Sequence, residues 1–154
     1  NEESIVSRKV FKKRTSQIMR KLTRQIIVHP KGTGKFADAE GYLVGGKTGT
    51  ADKTSKNGGY RKNANLVSFL GVFPMNKPEY IVLVMVDEPK PQYEKLKHRL
   101  TTAGHVAAPV VKTIIEKSAP LLNIHPIDIK LPKIKQALEL IELGIEMESN
   151  NASF

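Results

Sequence analysis

Residues 81–86 read Ile-Val-Leu-Val-Met-Val, an unbroken apolar run between Tyr80 and Asp87. Such a run reads as a strand, and one apolar on both faces belongs in the middle of a covered sheet. A second strand is expected over 66–73. Pro74-Met75-Asn76-Lys77-Pro78 joins the two and is short enough for an antiparallel hairpin. A chain built on this hairpin is committed to a layered sheet, and what flanks it decides the fold class.

The flanks are helical. Ile18, Leu22 and Ile26 recur at four-residue spacing, which predicts an amphipathic helix over 15–28 with Thr15 or Ser16 as N-cap, stopped by His29-Pro30. Val106, Val110 and Ile114, with Ala107, Val111 and Ile115, mark a second helix over 103–118. Pro109 fits it near the first turn and otherwise kinks it. Ile134, Leu138, Ile141 and Ile145 predict a third over 133–147, after a Pro-punctuated linker at 123–132. A first strand is expected over 42–50. Residues 52–64, rich in Lys, Asn, Ser and Gly without periodicity, read as a long exposed loop, and 89–101 as a polar one. Residues 1–13 read as an extended lead-in or a short edge strand. The class is α/β of the α+β type: a partial antiparallel sheet of about three strands flanked by helices.

Composition narrows the chemistry. The chain has 154 residues and a formal net charge of +10, from 25 Lys+Arg against 15 Asp+Glu. That permits an anionic partner, although a solvated basic surface explains it equally simply. Arg8 to Arg14 reads as a solvated basic face, with contact to anionic glycan strands left open. There is no cysteine, which excludes disulfides and thiolate catalysis. His29, His98, His105 and His125 lack metal-ligand spacing, so no metal or other cofactor is expected. Asp87-Glu88-Pro89 reads as a strand end. No apolar run approaches the roughly 20 residues of a membrane span.

Two motifs compete for Lys47. Gly41-Tyr42-Leu43-Val44-Gly45-Gly46-Lys47-Thr48 satisfies the phosphate-loop pattern G-x-x-x-x-G-K-[ST]. The apolar strand ending in Asp87 could then supply a magnesium ligand. The context opposes this reading. A phosphate loop needs an apolar strand before its first glycine and a helix starting at its lysine, whereas 36–40 are mostly small and acidic and Gly49, Gly58 and Gly59 follow. A nucleotide-binding or basic nucleic-acid-binding module is the alternative function.

The other motif is Lys47-Thr48-Gly49-Thr50, at the end of an apolar run. It matches the Lys-Thr-Gly element of penicillin-interacting serine enzymes. The ordered set around it resembles the C-terminal half of the transpeptidase domain of class B penicillin-binding proteins, of the division-specific, septal type of Gram-negative bacteria. The set comprises the helix over 15–28, Gly32-Thr33-Gly34, Gly41-Tyr42, Val44 to Ala51, Phe69-Leu70-Gly71-Val72-Phe73-Pro74, Val86-Asp87-Glu88-Pro89 and Val106-Ala107-Ala108-Pro109-Val110. The resemblance runs from about 15 to 122. It assigns 1–122 to the C-terminal part of such a domain and leaves 123–154 as linker, helix and frayed tail.

The resemblance implies a mechanism. A serine attacks the D-Ala-D-Ala bond of a peptidoglycan stem peptide, releases D-Ala and passes the acyl group to an amine on another stem; penicillins acylate the same serine. Lys47 would sit in the cleft, lending charge and hydrogen bonds to a serine of the second motif. Thr48 and Thr50 would bind the terminal carboxylate of the substrate or of a β-lactam, at ~1.5–3 kcal/mol per charge-assisted bond. Gly49 would keep the strand edge clear for the peptide backbone. The backbone N–H of Thr50 would be one of two oxyanion donors, each worth about 3 kcal/mol in the transition state.

The nucleophile motif Ser-x-x-Lys is absent: none of Ser4, Ser7, Ser16, Ser55, Ser68 or Ser118 has Lys three residues on. Ser55-Lys56-Asn57 spells the second motif but follows Lys-Thr-Gly instead of preceding it, and is read as coincidence. The expectation is therefore a fragment that forms no acyl-enzyme by itself. In the family the sheet has five strands, of which this chain would keep the last three. The expected partners are stem peptides and β-lactams, the missing N-terminal portion of the domain or a second copy of the chain, and division-complex proteins, with no nucleic acid. The expected location is the periplasmic side of the bacterial inner membrane.

Overall fold

The computed structural model describes residues 8–90, 101–128 and 131–132. The helix expected over 133–147 lies outside them, as does most of the loop expected over 89–101. The elements run α1 (Lys13–Val28), β1 (Gly45–Thr54), β2 (Tyr60–Phe73), β3 (Tyr80–Asp87) and α2 (Ala103–Ser118), with 3-10 turns at Lys35–Ala37 and Pro120–Leu122. The strands form one antiparallel sheet in the order β1-β2-β3.

All the helical elements lie on one face of that sheet. Register places Gly46, Thr48 and Thr50 of β1 beside Gly71, Phe69 and Val67 of β2, and these beside Val82, Val84 and Val86 of β3. This is the covered face. Phe69, Phe73, Val111 and Ile115 are fully buried there with Ile27 of α1 and Val44. A Cβ on Gly71 would stand 2.6 Å from Val111 Cγ1, so α2 rests directly on the β2 backbone.

The other face is bare. Ile81, Leu83 and Met85 are 69%, 56% and 56% exposed. Among the described residues β3 is an edge strand covered on one side only, as a sheet that keeps three of five strands would leave it. Its apolarity on both faces states what the strand needs, and nothing in the described residues supplies the second cover.

Three expectations change. Residues 52–64 are a hairpin, not a long loop, with β1 running to Thr54 and β2 starting at Tyr60. Ion pairs hold this polar ladder in place of apolar burial. Lys53 Nζ reaches Asp87 at 2.8 Å and Glu88 at 2.9 Å, and Arg61 reaches Glu88 at 2.9 Å. Only 55–59 form the turn, closed by Ser55 N–H to the Gly59 carbonyl at 2.9 Å, with Gly58 and Gly59 at φ of 85° and 72°. Positive φ is what selects glycine at both positions.

At its other end β1 begins at Gly45 and not at residue 42, because Leu43 has φ of 47° and gives its carbonyl to Met75 N–H at 3.0 Å. Helix α1 begins at Lys13, so neither Thr15 nor Ser16 caps it; Lys12 is the N-cap and makes no side-chain cap. The Lys and Arg residues upstream favour helix and extend it. Residues 8–10 form no strand. Helix α2 matches its expected bounds and takes Pro109 inside. After it, Ile124 packs against the core and Ile127 N–H donates to the Gly41 carbonyl at 2.8 Å.

Candidate functional site

The ladder decides what the Lys47–Thr50 segment offers. On the β3 side of β2, Asn65 and Phe73 give their carbonyls to Glu88 N–H at 2.9 Å and Glu79 N–H at 3.3 Å. Antiparallel strands alternate their bonding direction residue by residue. The even-numbered residues of β2 therefore bond to β1, where their partners are Gly45, Lys47, Gly49 and Ala51. The N–H and C=O groups of Gly46, Thr48 and Thr50 consequently point out of the sheet, along its free edge. Lys47 Nζ lies 2.8 Å from the Thr48 carbonyl, consistent with that direction.

The side chains divide between the faces. Lys47 and Gly49 share the bare face with Leu70 and Ser68, and Thr48 and Thr50 share the covered face with Phe69 and Val67. Lys47 and Thr50 are exposed and Thr48 is half-buried. Thr48 Oγ1 lies 3.2 Å from Thr33 Oγ1 and 3.5 Å from Lys47 Nζ. An ammonium, two hydroxyls and a row of outward N–H groups thus meet at one strand edge. Such a set can bind a carboxylate and pair with an extended backbone.

Glycines make the edge possible. A Cβ on Gly46 would stand 2.5 Å from the Leu70 carbonyl oxygen and 2.6 Å from Phe69 Cε1. A Cβ on Gly49 would meet only the Ser68 hydroxyl, at 2.6 Å. The first glycine is required for packing. The second keeps the bare face open beside Lys47.

The structure separates the other candidates from this edge. Ser55-Lys56-Asn57 sits at the hairpin turn, roughly 25 Å along the strand from Lys47 at the usual rise per residue. The phosphate-loop reading fails on geometry. Lys47 lies inside a strand that continues to Thr54, so there is no helix N-terminus to cradle phosphates. Among the described residues no group of three His, Asp or Glu side chains could hold a metal. Asp87 and Glu88 are engaged by Lys53 and Arg61. The hydrogen bond from Lys53, followed by the charges of Arg61 and Lys53, holds the Glu88 carboxyl below its usual range. Thr33 is the site neighbour that sequence alone does not place, because the short polar Gly-Thr-Gly stretch carries no periodic signal that would set it against Thr48.

Comparison with known proteins gives the family. The profile of the family described as penicillin binding protein transpeptidase domain matches residues 2–116. The chain belongs to that family. The peptidoglycan D,D-transpeptidase FtsI homolog of Chlorokybus atmophyticus is 36% identical over 130 residues, 84% of this chain and 18% of the relative. Stage V sporulation protein D of Bacillus subtilis is 38% identical over 125 residues, 81% of this chain and 18% of its own length. This transpeptidase-domain chain therefore spans about a fifth of the curated relatives it matches.

Solved structures agree. The apo transpeptidase domain of Burkholderia pseudomallei penicillin-binding protein 3 aligns at TM-score 0.64 and 35% identity, covering 79% of this chain and 34% of that one. Mycobacterium tuberculosis penicillin-binding protein 3, solved with ampicillin, aligns at 0.62 and 26%, covering 77% and 26%. The α+β class of this chain, with its partial antiparallel sheet, is consistent with these transpeptidase-domain neighbours.

Proposed function

We propose that the free edge of β1 is the substrate-binding wall of a serine-type peptidoglycan D,D-transpeptidase whose nucleophile lies outside this chain. The observation that carries the reading is the outward row of Gly46, Thr48 and Thr50 backbone groups beside the Lys47 ammonium. A stem peptide ending in D-Ala-D-Ala would lie extended along this edge. Thr48 and Thr50 would take its terminal carboxylate, and Thr50 N–H would serve as an oxyanion donor. Lys47 would lend its charge and a hydrogen bond to a serine of the second motif. Gly49 would leave room for the peptide. β-Lactams present the same carboxylate and carbonyl, and would use the same groups.

The remainder of the transpeptidase domain is the proposed occupant of the bare sheet face and of the free β3 edge. The matched transpeptidase domain is about three times the aligned length, and an uncovered apolar edge invites pairing. In this reading the site faces the periplasmic side of the bacterial inner membrane and works with other division proteins. Among the described residues no helix is long and apolar enough to cross a membrane.

Incubating the 154-residue chain with a fluorescent penicillin tests the assignment of the nucleophile. No denaturation-stable label is expected. A stable label abolished by one Ser→Ala change within the chain would overturn it.

A further inference from the structure

Thr48 Oγ1 has two neighbours that bear on how its proton is used. Lys47 Nζ, at 3.5 Å, can only donate. Thr33 Oγ1, at 3.2 Å, can donate or accept. If Thr33 donates, both lone pairs of the Thr48 oxygen are directed at protein donors. The Thr48 proton is then the one group left to offer outward, and it can go only to an acceptor.

Thr33 is held in place by contacts on both sides. Gly32 N–H donates to the His29 carbonyl at 2.7 Å, and Gly34 N–H to the Ile26 carbonyl at 3.0 Å. A Cβ on Gly34 would stand 2.9 Å from Phe69 Cε2 and 3.1 Å from both Ile26 Cγ2 and Ile27 Cδ1. A Cβ on Gly104, in the first turn of α2, would collide with the Thr33 carbonyl oxygen. The C-terminus of α1, the core ring of Phe69 and the start of α2 thus converge on one exposed threonine. Its hydroxyl is aimed at Thr48.

We propose that Thr33 is a positioning residue that orients the Thr48 hydroxyl as a donor to an anionic ligand. The ligand class, a peptide with a free C-terminal carboxylate, rests on the reading of the β1 edge given above. Thr33 itself need not touch the ligand. Its hydrogen bond polarises the Thr48 hydroxyl and fixes its rotamer, and a hydrogen-bonded chain of this kind strengthens its last member.

The test uses the isotope-labelled 154-residue chain with N-acetyl-D-Ala-D-Ala and the same dipeptide as its C-terminal amide. NMR titration gives the ratio of the two affinities, and side-chain couplings of Thr48 give its χ1 distribution without ligand. The wild type is expected to prefer the acid and to hold Thr48 in one rotamer. Thr33→Val should weaken acid binding by about five- to tenfold, leave amide binding unchanged and mix the Thr48 rotamers. Thr33→Ser should restore both readouts. A Thr48 rotamer that stays fixed in Thr33→Val overturns the proposal, as does a Thr33→Ser chain that behaves like Thr33→Val. If Thr33→Val frees the rotamer while the wild type binds acid and amide alike, the positioning role stands and the carboxylate reading falls.

Discussion

The ring of Phe69 lies over Gly46, so that a Cβ on Gly46 would stand 2.6 Å and 2.7 Å from its Cε1 and Cζ atoms. Gly46 and Gly49 are three residues apart in one strand and have opposite sensitivities. Gly46→Ala pushes into a fully buried ring and a backbone carbonyl. It should destabilise the chain by about 1–3 kcal/mol. Gly49→Ala meets only the rotatable Ser68 hydroxyl and should change stability by under about 1 kcal/mol, while narrowing the face beside Lys47. Denaturant titration of both variants decides this; equal losses would mean that the two positions are not distinguished by packing.

Adjacent isoleucines in α2 make a second comparison. Ile115 is fully buried against the sheet and Ile114 is 38% exposed. Ile115→Ala should cost about 2–5 kcal/mol, and Ile114→Ala under about 1 kcal/mol. A similar cost at both would place the core on a different face of the helix.

Arg24 ties α1 to the lead-in of β1. One guanidinium nitrogen donates to Asp38 Oδ1 at 2.7 Å and to the Val44 carbonyl at 2.6 Å. Arg24→Met keeps the aliphatic stem but leaves that carbonyl without its donor. The expected loss is about 1.5–3 kcal/mol, read as an earlier denaturation midpoint. An unchanged midpoint would show that solvent replaces both bonds.

The Lys53–Glu88 clasp predicts a pH dependence. The Lys53 hydrogen bond lowers the folded-state pKa of Glu88. Its contribution is present above the usual carboxylate pKa and is lost as pH falls through the depressed folded value. Hydrogen bonds to Asp87 and then Glu88 raise the pKa of Lys53 above 10.5, so its contribution holds up to that pH and fades as pH rises through the raised value. Glu88→Gln should therefore melt below wild type at neutral pH, with the two curves converging in acid. A gap that persists in strong acid would assign the difference to something other than charge.

What could be read from the sequence followed from how each element is stabilised. Helix α2 and the β2–β3 hairpin announce themselves through apolar periodicity, and their places matched. The polar arms of the β1–β2 hairpin do not, because Lys53, Arg61, Asp87 and Glu88 hold them by charge across strands that are distant in sequence. The exposure of Ile81, Leu83 and Met85 is equally hidden, since an apolar residue records a preference for cover and not whether the described residues provide it. At the site, Lys47-Thr48-Gly49-Thr50 was legible as a motif. That its even-numbered backbone groups face outward depends on register. The approach of Thr33 depends on how α1, Phe69 and α2 close together.

The collision built into Gly104 also limits how the β1 edge can change over generations. The position carries no ligand-facing atom, yet any side chain there would displace the Thr33 carbonyl and, through it, the hydroxyl beside Lys47. A change at the start of α2 therefore reaches the β1 edge through a residue that inspection of that edge alone would pass over. Its neighbour His105, exposed to solvent, is held differently, with Nδ1 2.9 Å from the Thr102 hydroxyl and its ring 5.3 Å from that of Phe36.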